Sequence, residues 1–227
     1  MLWSLPMNRK AMFFGVMLLI CSHQTQAALP PGSAYLDGNG SSHALILCHG
    51  RGKYPTWKVV NPLRKGVHAN LGWHTLSLQM PAEDKNWEKY ADDFPAAFET
   101  IKQGIAFLRN QKGIKNFYLM GHSMGSRMAS AFVAEDLDSA INGLIVAGIR
   151  NNGGYPLDGK QNLERVRVPV LDIWGGGDSK DYDAAKEREE LVSATYTQVE
   201  ISGANHKFDG DEDEFVAAVV SWLKSNQ

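Results

Sequence analysis

Gly121-His122-Ser123-Met124-Gly125 matches the pattern G-x-S-x-G, with the apolar run 117–120 before it and residues 126–135 reading as a helix with small residues on one side. A strand-to-helix turn too tight for side chains at its glycines lifts the central hydroxyl clear of the sheet edge. A helix starting beneath that serine favours negative charge there through its N-terminal amides. A serine hydroxyl is a weak nucleophile at neutral pH and needs an adjacent base. Histidine suits the role because its unperturbed pKa lies near neutrality, and an acid must then hold the imidazole in the right tautomer. Ser123, Asp178 and His206 occur in that chain order, each after a predicted strand, and are the expected nucleophile, acid and base. Asp181 lies three residues beyond Asp178, and Asp172 falls mid-strand, where burial would be costly without pairing, so Asp178 is preferred. His43, His68 and His74 belong to early segments, His122 is expected to point away from Ser123, and His49 to serve its own loop.

Positioning these residues requires several strands that end on one side. Residues 43–48 form a continuous apolar run bounded by turn residues, as buried parallel strands do. It ends in His49-Gly50-Arg51-Gly52; Pro55 stands where a dinucleotide-binding loop would need its third glycine. A helix is expected within 55–65, a strand over 72–78, and an amphipathic helix over 90–111, where Phe94, Ala97, Phe98, Ile101, Ile105 and Leu108 recur at helical spacing. Further strands are expected at 116–120, 144–149, 168–174 and 195–201, with helices at 182–192 and 215–224. A brief strand near Tyr35 is the most that the first residues suggest. Such alternation predicts an α/β protein, a mainly parallel twisted sheet with helices on both faces in three layers. Ligands then gather outside the carboxyl ends of the strands.

These segments resemble the α/β-hydrolase fold, from His43 to the closing helix. Gly121–Gly125 is similar to the family's nucleophile elbow, the run from Pro169 to Asp178 to its strand bearing the acid, and Gly203-Ala-Asn-His206 to its late histidine loop. His49-Gly-Arg-Gly52 resembles its first oxyanion loop, which implies that the backbone amides of Arg51 and Met124 hold a developing oxyanion. The resemblance implies hydrolysis of a carboxylic ester or related acyl bond through an acyl-serine intermediate. An acyltransferase or peptidase would use the same triad, whereas a non-catalytic exported binding protein retaining the fold would not need all three residues. Residues 150–167, where many relatives insert a lid, are short and polar, so an accessible cleft is expected. Trp57, Trp174 and Phe208 are its candidate walls.

Asn8-Arg9-Lys10, the apolar run 11–21 and the small residues Ala27-Ala28 form the pattern of a secretory signal peptide. Residues 1–27 are therefore expected to be removed, leaving 28–227 as one domain in the periplasm or secreted. The apolar run is shorter than the roughly 20 residues that span a bilayer, so no membrane anchor is expected. Losing Arg9 and Lys10 takes Lys plus Arg from 23 to 21 against 25 acids, moving the formal charge from -2 to -4. No basic stripe suggests a nucleic-acid partner. Cys21 departs with the signal and Cys48 stays as a buried apolar residue without a disulfide partner. Neither a metal-ligand spacing nor a cofactor motif is present, since Asp209–Glu214 lacks the calcium-loop pattern. The expected partner is a small acyl substrate; oligomeric state is not encoded legibly.

Overall fold

The computed structural model describes residue 1, residues 27–81, 83, 85–135, 137–138 and 140–227. The expected signal segment, with Cys21, lies outside the described residues apart from its two ends.

The sheet has seven strands, β1 (Ala34–Leu36), β2 (His43–Cys48), β3 (His74–Leu78), β4 (Asn116–His122), β5 (Ile141–Ala147), β6 (Val170–Gly175) and β7 (Tyr196–Ile201), in the order β1-β3-β2-β4-β5-β6-β7. Only β1 runs antiparallel, pairing Tyr35 with Leu76 at the edge; the other neighbours are parallel. Parallel strands need crossovers, and the helices that supply them cover both faces. Leu45 and Leu47 of β2 face the layer of α1 (Val60–Leu71) and α6 (Glu212–Ser225), whose Leu63, Val67, Phe215 and Val219 share that core. Ala44, Ile46 and Cys48 point the other way, toward α2 (Phe94–Lys112) and α3 (Met124–Ala134), with Ile101, Met128 and Phe132. This period-two division explains why β2 is apolar throughout: each face meets a helix layer. The three-layer α/β-hydrolase fold follows from this arrangement.

Several boundaries differ from the sequence-based expectation: α1 covers Val60–Leu71 rather than 55–65, and β5 Ile141–Ala147 rather than 144–149. The stretch before α2 is a 3₁₀ helix, Trp87–Asp93, because Pro95 at the start of α2 has no N–H to continue an α-helical ladder backward. The expected helix at 182–192 is α5 (Ser179–Glu187) followed by a 3₁₀ turn, Glu189–Leu191. The connection 148–169 contains one short helix, α4 (Gly159–Leu163), packed on α3, with Asn162 Nδ2 donating to the Arg127 carbonyl (3.3 Å) and to Ser130 Oγ (3.1 Å). The acidic residues Glu212, Asp213 and Glu214 occupy the first turn of α6, where they complement the helix dipole.

Candidate active site

Ser123 sits between β4 and α3 with φ 58° and ψ −116°, a strained backbone for any residue with a side chain. The turn is held open by close backbone packing: a Cβ on Gly125 would lie 2.2 Å from the Cys48 carbonyl oxygen. Ser126 Oγ donates to the Gly121 carbonyl (2.6 Å) and accepts from the Ala147 amide (3.1 Å), and the Ser123 amide donates to the Ala147 carbonyl (2.9 Å). The elbow is thus bonded both across itself and to β5.

His206 follows β7 and faces the same cavity as Ser123, a cleft of about 800 Å³. Its Nδ1 lies 2.5 Å from Asp181 Oδ2. The sequence-based choice of Asp178 as the partner acid is corrected here. Asp178 is the N-cap of α5, and its Oδ1 accepts from the Asp181 amide (3.0 Å) and from Arg150 Nη2 (3.3 Å). A capping aspartate turns its carboxylate back onto its own helix, so the residue in the first turn, Asp181, is the one presented to the histidine. The three-residue spacing of Asp178 and Asp181 is that of an N-cap and the N3 position, which is the signal that could have separated them. Asp181 is fully buried. Burial pushes its carboxyl pKa up, but bonding to His206 and Arg150 outweighs that and holds it below the usual carboxylate range.

Sequence reasoning also missed Gly148 and Arg150, at the end of β5. Arg150 Nε donates to Asp181 Oδ1 (3.0 Å), so one guanidinium bridges both aspartates. Gly148, at φ 58°, leaves the space that the histidine fills: a Cβ there would be 2.9 Å from His206 Cε1 and 3.0 Å from Asp181 Oδ2. Ligand atoms of Asp178, Asp181 and His206 lie within 4.8 Å of one another. Arg150 already supplies the cation to those carboxylates, so their bonding is that of an ion-pair network rather than a set of free ligands.

The loop His49–Gly52, expected from the sequence to be the oxyanion loop, lies against the elbow, since a Cβ on Gly50 would approach the Ser123 Cβ to 3.2 Å. Arg51 and Met124 both line the cleft, and the Met124 amide belongs to the first turn of α3, where N–H groups lack helical acceptors. His49 anchors the loop: its Nδ1 bonds the Gly50 carbonyl (2.9 Å) and its Nε2 accepts from the Met80 amide (3.0 Å). Of the expected walls, Trp57 lines the cleft. Phe208 instead stacks on Phe215 in the core, at a centroid distance of 4.3 Å. Trp174 is also buried away from the cleft, two residues along β6 from Asp172 and therefore on the same strand face. Trp87, not foreseen, lines the cleft in their place.

His122 lines the same cleft but is bonded behind His206. It is buried beside His206, ring centroids 4.9 Å apart, and its Nε2 donates to the His206 carbonyl (2.9 Å). Burial first, then the neighbouring His206, lower its pKa from 6.5 to about 3. Because the unfolded chain then binds more protons below pH 6.5, His122 contributes stability that is complete above that pH and is lost as pH falls toward 3. His49 and His74 are shifted the same way by burial. Denaturation followed between pH 7 and 4 is expected to show that decline, and His122→Gln, which keeps a donor for the His206 carbonyl, should flatten it by up to about 1.4 kcal/mol per pH unit. An unchanged slope would remove His122 from the account.

Residues 82–225 match the family described as "Protein of unknown function (DUF3530)". No curated protein matches the chain in sequence. Among solved structures, an α/β serine hydrolase homologue from Coxiella burnetii is similar at TM-score 0.69 and 20% identity, covering 84% of this chain and 90% of that one. Dienelactone hydrolase from Anabaena variabilis follows with TM-score 0.66 and 18% identity, covering 86% and 91%. A lidless α/β serine hydrolase from Xanthomonas campestris has TM-score 0.62 and 18% identity, covering 86% and 95%. At these identities the likeness is one of fold.

Proposed function

We propose that this chain, which belongs to the DUF3530 family and has the α/β-hydrolase fold, is a serine hydrolase that cleaves carboxylic ester or related acyl bonds. The observation that carries the reading is a strained serine at a strand–helix elbow, opening to one cleft with a histidine whose Nδ1 is bonded to a buried, ionised aspartate. In this reading Ser123 Oγ attacks the acyl carbon while His206 Nε2 takes its proton. The carbonyl oxygen becomes an oxyanion facing the amides of Arg51 and Met124. The tetrahedral adduct collapses as His206 returns the proton to the departing alkoxide, leaving an acyl-serine. Water then repeats the sequence, with His206 as base, to release the carboxylic acid and restore the hydroxyl. Asp181 holds the imidazole with Nε2 toward the cleft and stabilises the imidazolium at each turn.

Support for an ester-sized substrate comes from the cleft's roughly 800 Å³ and from α4 lying down on α3. Purified protein is expected to hydrolyse a short-chain p-nitrophenyl ester and to be labelled at Ser123 by a fluorophosphonate. Ser123→Ala should abolish labelling and lower turnover at least about 10³-fold. Full activity in that variant would sink the proposal.

A further inference from the structure

The cleft holds a cation that the triad does not use. Arg127 projects from α3 one turn beyond Ser123 and is 6% exposed, yet it lines the cleft. Two bonds hold it, from Nη1 to the Asn152 carbonyl (3.1 Å) and from Nη2 to Asn152 Oδ1, and its guanidinium carbon lies 5.2 Å from the Trp87 ring centroid. A guanidinium has five N–H donors, so three remain beyond those two bonds. Among the described residues no carboxylate lies within ion-pair distance of it, and Asp158 acts on it only through longer-range attraction. Burial, then the nearby Arg150, lower its pKa to about 10, which still leaves it charged at neutral pH. Burying a cation without a counter-charge is costly; the neighbouring Arg150, by contrast, is matched by two aspartates.

The surroundings reinforce this sign. Arg51, Lys53, Lys180 and Lys207 also line the cleft, against Asp183 and Glu187. One unmatched buried charge calls for one negative charge. Arg127 stands four positions after Ser123, about 6 Å of backbone rise along α3, and both side chains line the one cleft, so a short substrate that engages one is within the same cavity as the other.

Resting on the hydrolase reading, we propose that Arg127 is a specificity residue that binds a carboxylate carried by the substrate, making short-chain carboxylate-bearing esters the preferred class. Trp87 keeps the guanidinium plane in place and Asn152 fixes its direction, leaving its free N–H groups for a charge-assisted contact with the substrate carboxylate.

The test compares kcat/KM for monoethyl succinate with that for ethyl butyrate, and for O-acetylglycolate with that for ethyl acetate, by pH-stat titration. These pairs place the carboxylate on the acyl and the alcohol side respectively. At least one acidic ester should be preferred over its neutral counterpart. Arg127→Met is expected to reduce that preference about 100-fold, with partial recovery in Arg127→Lys. A purely structural arginine would instead alter melting temperature with the preference intact, and that outcome overturns the inference. So does preference for both neutral esters, or faster turnover of ethyl 3-phosphonopropionate, which would mark a dianion site. Calorimetry on Ser123→Ala with the same acidic esters separates the two proposals. Binding that Arg127→Met abolishes, in a wild-type protein without turnover, upholds the carboxylate site while the hydrolase reading fails; turnover of neutral esters without any such binding does the reverse.

Discussion

On the serine-hydrolase proposal, Asp181→Asn is expected to lower kcat for ester hydrolysis about 10⁴-fold, while Asp178→Asn stays within about tenfold of the unsubstituted protein. Both residues follow the same strand and both touch Arg150, but only Asp181 reaches His206 Nδ1, at 2.5 Å. Asparagine at 181 brings no negative charge, so the imidazolium loses its counter-charge, and where its NH₂ group faces Nδ1 it holds the imidazole in the wrong tautomer. Asparagine at 178 still accepts from the Asp181 amide and keeps the cap. Steady-state kinetics with a p-nitrophenyl ester, beside melting curves to show that both variants fold, measure the contrast. If Asp178→Asn is the one that fails and Asp181→Asn is nearly native, the acid has been assigned to the wrong carboxylate.

The second large effect is on stability. Asp172→Asn is expected to destabilise the protein by about 3–5 kcal/mol, because it strips the charge facing a buried guanidinium. Arg188 and Asp172 are both fully buried and meet in a two-pronged pair, Nε to Oδ2 and Nη2 to Oδ1, each 2.9 Å. Tyr196 and Gln198 also donate to Asp172 Oδ2, at 2.9 and 3.0 Å. Arg188 Nη1 continues to the Ile149 carbonyl (3.0 Å) and Asn151 Oδ1 (2.8 Å), so the pair ties β6 and β7 to the loop that carries Arg150. At about 2–4 °C per kcal/mol for a domain of this size, a fall in melting temperature of at least 6 °C is expected. Removing both charges with Asp172→Leu and Arg188→Met should recover much of the loss, since the pair must offset its own desolvation. A single substitution costing under about 1 kcal/mol in urea denaturation would contradict this network.

Much of the fold was legible because its signals are local. The apolar run at 43–48, the helical spacing of Phe94, Ile101 and Leu108, and the glycines around Ser123 each reflect a constraint within one element and its immediate turn. Trp174 and Phe208 were misplaced because apolar character does not say which of two buried faces a side chain joins. Asp172 was set aside as the acid on the cost of burial. The structure meets that cost with Arg188, from an element 16 residues later.

The amino-acid order alone determined where the elbow forms, which histidine follows the seventh strand, and that parallel strands would bring their ends together. The tertiary structure decided which aspartate meets His206, because capping of α5 turns one carboxylate inward to its helix and leaves the other facing the loop after β7. It also decided that Arg127 would be buried at the cleft with no carboxylate of the described residues within ion-pair distance. Which carboxylate the cap leaves free is written in the N-cap-to-N3 spacing within α5, but its meeting with the loop after β7 and the burial of Arg127 depend on how elements distant in the chain pack together, which no single element's spacing records.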